Sequence, residues 1–226
     1  MKKLTTILTG IFLALTPLAS HAAGGWAVGI SASNNTLDTA GKEDTDNNGT
    51  IDATKNVTDD IAIGSIFAEF TNMGEKFGIT LGLDYIPFDA DIDKRSISQT
   101  SMGATETETS GTNSVEGTVE DHFTLYIQPG LMIKPNTMLY GTLGYASATV
   151  NGKSTSITHT NINKDEDLTG TKIGVGIKHV YDSGIFVKAD YSQTEYDTVS
   201  FTTDNNTKAT ADLDNKSYAL SIGKQF

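Results

Sequence analysis

Tyr218-Ala219-Leu220-Ser221-Ile222-Gly223-Lys224-Gln225-Phe226 places a large apolar side chain at every second position as far as Ile222 and closes on an aromatic. Small or polar residues stand between them. A period of two is a β-strand with one apolar and one polar face. The same alternation recurs upstream. Phe77, Ile79, Leu81, Leu83 and Tyr85 interleave with Gly78, Thr80, Gly82 and Asp84. Trp26, Val28 and Ile30 form one such face, and Phe123, Leu125, Ile127, Leu131 and Ile133 another. Leu139, Leu143 and Tyr145 follow, then Ile173, Val175 and Ile177, then Ile185, Val187, Ala189 and Tyr191. The second segment, about residues 60–71, is less regular. Taking Ile66, Ala68 and Phe70 as its apolar face leaves Phe67 and Glu69 on the other.

Eight β-segments result, with no helical period between them. Their connections alternate in length. Asn72-Met73-Gly74-Glu75-Lys76, Lys134-Pro135-Asn136-Thr137 and Tyr181-Asp182-Ser183-Gly184 are tight turns made of strong turn residues. Residues 38–59, 98–117, 151–167 and 204–211 are long and polar, and read as loops. Residues 92–97 and 196–201 still look β-like and read as strands continuing past the loop bases. A soluble β-sandwich would alternate as well. It requires neither three tight turns on one side nor a closing strand that stops on an aromatic. Long loops on one side and short turns on the other describe an even-stranded antiparallel transmembrane barrel, whose strands each need about 9–11 residues.

Composition agrees with a barrel turned inside out. Hydrophobic residues make up 37% of 226, with 22 glycines, which is low for a conventional core. A barrel that shows its apolar residues to lipid and fills its interior with polar and small ones has this balance. There are no cysteines, so neither disulfides nor thiolate metal sites enter. Sixteen basic residues against 28 acidic give a formal charge of −12, which argues against nucleic acid as a partner.

At the other end, Met1-Lys2-Lys3 is a basic head, residues 4–18 an apolar run, and Ser20-His21-Ala22-Ala23 a small-residue cleavage site. This is a secretory signal peptide, expected to cover residues 1–22 and to leave residues 23–226 as the barrel domain. An uncleaved membrane helix is disfavoured by Gly10 and Pro17, which leave the run short for spanning. Losing Lys2 and Lys3 takes the formal charge from −12 to −14.

With topology, signal peptide and closing strand in view, the whole mature chain resembles the small eight-stranded outer-membrane barrels: the OmpA transmembrane domain, OmpX and the opacity proteins. The resemblance implies an integral protein of the outer membrane of a Gram-negative bacterium, with both termini in the periplasm. Its implied partners are outer-membrane lipid, lipopolysaccharide and the outer-membrane assembly machinery. Tyr218, Leu220, Ile222 and Phe226 resemble the assembly signal of these proteins. Lys224 departs from it, standing where an aromatic or apolar residue is usual, and could snorkel to the periplasmic headgroups. A periplasmic peptidoglycan-binding domain of the OmpA type is not expected here. Deleting Phe226 is expected to lower the amount of protein reaching the outer membrane, measured against wild type by fractionation. Equal levels would remove an assembly role for this residue.

Three groups of residues bear on function. By the alternation, Glu69, Asp84, Lys172, Lys178, Lys188 and Asp190 point into the barrel. An eight-stranded barrel is only wide enough for side chains, so these charges must pair, because an unpaired buried charge is very costly. They form either a structural plug or an ion gate. In the first external stretch, Asp44, Asp46, Asn48, the Thr50 carbonyl and Asp52 follow the spacing of an EF-hand calcium loop, with Gly49 and Ile51 at its sixth and eighth positions. Lys55 stands where the bidentate glutamate belongs, so the site is a weak calcium site or simply solvated surface. Catalysis finds no pattern. His122, His159 and His179 sit in no His-x-Ser arrangement of the lipid A deacylase kind, and no Gly-x-Ser-x-Gly elbow occurs. The expected function is therefore non-enzymatic, without a cofactor: a structural or surface-interaction role through acidic external loops, with an unnamed extracellular partner. The alternative is a narrow channel for ions or very small solutes.

Overall fold

The computed structural model describes residues 24–44, 47–102, 108–155, 162–202 and 208–226. The proposed signal peptide, Asp46 and His159 lie outside them. Ten strands appear in order: β1 (Gly24–Asp44), β2 (Ala53–Met73), β3 (Phe77–Tyr85), β4 (Ala90–Met102), β5 (Glu108–Lys134), β6 (Thr137–Thr155), β7 (Ile162–Val180), β8 (Ile185–Tyr196), β9 (Val199–Thr202) and β10 (Lys208–Gln225). Every pairing is antiparallel. The order β1-β2-β3-β5-β6-β7-β8-β10 closes on itself where β10 pairs with β1. The protein is an all-β, up-and-down barrel of eight strands, as the alternation predicts. The two further segments, β4 and β9, extend it by pairing with β5 and β10.

Closure leaves the ring no free edge, and lipid offers no water to satisfy one. The apolar face of each strand lies outward, so Ile30, Leu143, Val175 and Leu220 are exposed. The opposite faces bury Phe67, Glu69, Thr71, Thr80, Thr124, Lys178, Phe186 and Lys188. Trp26 packs edge-on to Phe70 at 5.4 Å between centroids. Gly184, at φ +78°, takes the left-handed conformation that closes the β7–β8 turn, its N–H donating to the Tyr181 carbonyl at 2.8 Å.

The long polar stretches are shorter as loops than their composition suggests. The β1–β2 ladder runs without a break from Gly24↔Asn72 to Glu43↔Ala53, and the β6–β7 ladder continues to Ser154↔Ile162. Polar residues hold strand geometry here because the backbone ladder and cross-strand pairs continue past the membrane. Thr36 donates to Asp60 at 2.6 Å, and Thr58 and Lys216 donate to Asp38 at 2.7 and 2.9 Å. Lys42 meets Asp212 at 3.0 Å. The Thr58 hydroxyl and then Lys216 hold the exposed Asp38 carboxyl below its usual range.

Above the barrel the ring opens. The β2–β3 ladder ends at Ile66↔Tyr85 and the β7–β8 ladder at Gly170↔Tyr196. Beyond those pairs the strands continue as two four-stranded sheets, β9-β10-β1-β2 and β4-β5-β6-β7. Ala146, Ala148 and Leu168 of one sheet and Asn35 and Ser217 of the other are buried there. Asp121, at φ 53°, sits in a bulge of β5 between Glu120 and Phe123, next to His122, whose carbonyl accepts the Ile86 N–H at 3.0 Å one step beyond the β3 ladder.

Candidate functional site

The interior charges converge on Glu69 of β2. One carboxylate oxygen accepts from Lys178 Nζ of β7 at 2.5 Å. The other accepts from Lys188 Nζ of β8 and from the Tyr126 hydroxyl of β5, both at 3.0 Å. Lys178 also donates to Thr71 Oγ1 at 3.0 Å, and Thr71 is bonded to Thr80 at 2.9 Å. In the closed ring, β2 and β7 stand four strands apart in either direction. The Glu69–Lys178 bond therefore bridges the whole lumen, and both side chains have 0% exposure.

Aromatic rings complete this layer. Lys178 Nζ lies 4.2 Å from the Phe186 centroid and Lys188 Nζ 4.3 Å from that of Phe67. The electron-rich ring face attracts a desolvated cation, so each ammonium has a partner on its free side. The two rings meet at 6.0 Å. A second tier holds the other charges: Asp84 accepts from Ser65 Oγ at 2.7 Å and Asp190 from the Tyr140 hydroxyl. Lys172 lies within electrostatic reach of both carboxylates. The three carboxylates and three ammonium groups of the interior balance to zero.

Glycine makes room for the large members. Gly29, Gly82, Gly176 and Gly223 are paired directly with Phe67, Tyr126, Tyr140 and Phe186 on the neighbouring strand. A Cβ at any of these glycines would sit closer than 3.0 Å to the paired ring. Each ring thus occupies the space over its glycine, a known means of supporting glycine in sheets. Tyr126, Tyr140, Thr71 and the four glycines are missing from the residues singled out by charge. The signal was present: Tyr126, Tyr140, Thr71 and these four glycines all fall on the inward parity of their strands.

In the first external turn, both Asp44 oxygens accept backbone N–H groups, from Asn48 at 3.0 Å and Gly49 at 2.8 Å. Asn48 Oδ1 accepts from Thr50 N at 2.7 Å, and Asp52 N donates to the Glu43 carbonyl at 2.8 Å. Asn47 and Gly49 have φ of 54° and 90°. A cation at this turn would compete with its own N–H donors for Asp44.

At the periplasmic rim, the Gln225 N–H donates to the Gly184 carbonyl and the Phe226 N–H to that of Trp26, both at 2.8 Å. Lys224 donates to the Ser183 carbonyl of the β7–β8 turn. Its ammonium is thus engaged with the backbone of that turn. Tyr218, Leu220, Ile222 and Phe226 remain exposed on the outer face. Of the two described histidines, His122 is bonded through Nε2 to the Tyr196 hydroxyl at 2.8 Å and His179 through Nδ1 to Thr137 Oγ1 at 2.9 Å.

A family model described as "Outer membrane protein beta-barrel domain" matches residues 5–226. The chain belongs to this family. It is an integral protein of the outer membrane, and the tight turns face the periplasm. No curated protein matches it in sequence. Among solved structures it is similar to Ail, the attachment invasion locus protein of Yersinia pestis, at 14% identity, 86% of this chain, 99% of that one and TM-score 0.36. The outer membrane protease OmpT of Escherichia coli is matched at 9% identity, 93% of this chain, 99% of that one and TM-score 0.49. Neisserial surface protein A is matched at 6% identity, 88% of this chain, 99% of that one and TM-score 0.32.

Proposed function

We propose that this barrel is a closed, non-enzymatic wall element whose business lies outside the membrane, in contacts made by its acidic external strands. One observation carries the reading: the Lys178–Glu69–Lys188 cluster ties opposite walls together across the lumen. A pore for solutes needs a water-filled lumen. Here the cross-section is filled by paired charges, two phenyl rings and Tyr126. Charge distribution supports the outward role. Residues 37–65, 86–121, 146–170 and 195–216 hold 23 acidic and 8 basic residues. They account for more than the whole net charge of the mature chain, and the barrel body is almost neutral. Outer-membrane lipid and lipopolysaccharide are the surroundings this belt would meet, and the outer-membrane assembly machinery the partner that would insert it.

Single-channel recording tests the closed lumen. The mature protein, refolded and placed in planar bilayers, is expected to show no openings above background in molar potassium chloride. Stable, resolvable openings would overturn the closed barrel and favour the narrow channel.

A further inference from the structure

The two sheets above the membrane leave backbone edges that the barrel itself does not use. In the ring, one flank of β2 pairs with β1 and the other with β3, but β3 pairing stops at Ile66. From residue 53 to residue 65 β2 stays in register with β1, and among the described residues no strand pairs with its other flank. Antiparallel bonding alternates along a strand, so successive residues turn their N–H and C=O to opposite sides. The Gly74 N–H bonds Phe77 across the β2–β3 turn, which assigns even-numbered β2 residues to the β3 side. The β1–β2 register has no shift. Thr54, Asn56, Thr58, Asp60, Ala62 and Gly64 therefore all present their backbone groups to the open seam. At its foot Phe88 is 69% exposed, with its ring 3.9 Å from where a Gly64 Cβ would stand.

An unpaired strand edge is a template for another extended segment. Natural edges are blunted by lysine, proline or bulges. This one has a single lysine, Lys55, no proline and no bulge. Residues 53–65 with 86–89 carry Asp59, Asp60 and Asp89 against that one lysine. An extended cationic segment would gain ladder bonds, charge complementarity and, at one end, the Phe88 ring. A second copy of this chain would bring acid against acid.

We propose that the β2 edge between residues 53 and 65 is a docking site for an extended, positively charged polypeptide segment, added as a strand. This rests on the surface-interaction reading of the protein and names the partner's chemistry.

The test uses the full mature chain in neutral detergent and three fluorescein-labelled ten-residue peptides. These are alternating Thr-Lys, the same peptide N-methylated at every second residue, and alternating Thr-Glu. N-methylation keeps the charge and removes one row of donors. Fluorescence anisotropy at low salt is expected to show saturable binding of Thr-Lys, at least tenfold weaker binding of the methylated peptide, and none of Thr-Glu. Asn56→Pro with Ala62→Pro removes two edge donors without touching the β1 ladder, and is expected to weaken Thr-Lys binding at least tenfold while heat-modifiable gel migration stays unchanged. Equal binding of the two Thr-Lys peptides, or equal binding by the proline variant, would overturn strand addition and leave a purely electrostatic surface. Absence of saturable binding would overturn it too. So would sedimentation showing a dimer that the proline variant abolishes, since the edge would then serve a second copy. None of these failures touches the closed lumen, which stands or falls on conductance.

Discussion

Glu69→Gln is expected to lower the unfolding free energy by about 3–5 kcal/mol, the usual loss when one partner of a buried ionic cluster is removed. The size follows from what remains. Lys178 is wholly buried and Lys188 nearly so, and a neutral amide offers them one carbonyl oxygen in place of two charged ones. Neither ammonium can swing to water, because both lie among ring faces in the middle of the lumen. Removing an opposite pair, Glu69→Leu with Lys178→Met, keeps the interior neutral and is expected to restore much of the loss, since exchanging a buried ion pair for apolar groups is often close to neutral. Urea unfolding from lipid vesicles, followed by the emission of Trp26, the chain's one tryptophan, gives both numbers. A Glu69→Gln loss under about 1 kcal/mol would mean that the cluster is hydrated, contrary to a plug. Recording the same variant in bilayers separates plug from gate: a plug loses stability without current, whereas a gate passes current once its carboxylate is gone.

Gly82→Ala is the second large effect, and its cause is steric. The added methyl would enter the space of the Tyr126 ring on the paired strand. Tyr126 cannot tilt away without giving up its bond to Glu69, so packing and charge satisfaction fail together. Overpacking a filled interior costs about 1–3 kcal/mol, and the upper end is expected here. Gly141→Ala is the matched control. It adds the same methyl in β6, where the nearest atom stands 3.8 Å from the new Cβ, and is expected to be close to neutral. Tyr126→Leu should relieve part of the Gly82→Ala strain, measured by the same urea titration. Equal effects at Gly82 and Gly141 would show that the ring-over-glycine pairing is not what limits packing.

Much of this barrel is legible in the sequence alone. The two-residue period assigns faces, so Glu69, Asp84, Lys172, Lys178, Lys188 and Asp190 could be placed on the interior side strand by strand. The three tight turns and the order of long and short connections set the topology. Strand ends were less legible. The polar stretches after Leu37 and after Val150 read as loops because side-chain periodicity is an index of a membrane or core to face. Above the membrane no lipid faces these strands, and it is backbone pairing that keeps residues such as Thr39 and Thr54 extended. The same limit hid β4 and β9 as separate strands, and with them the opening of the ring into two sheets.

The sequence by itself determined what each strand shows to lipid and what it turns inward, because alternation is a local property of an extended chain. It also determined that the interior charges must be paired, since no sequence with six such residues in so narrow a lumen could leave them alone. Which charge meets which was decided only by the tertiary structure. Lys178 reaches Glu69 rather than Asp84 or Asp190 because barrel closure, strand stagger and ring position bring β7 opposite β2, and these depend on all eight strands at once. The partnership of each inward ring with a glycine one strand away has the same origin, for a cross-strand neighbour exists only after the register is set.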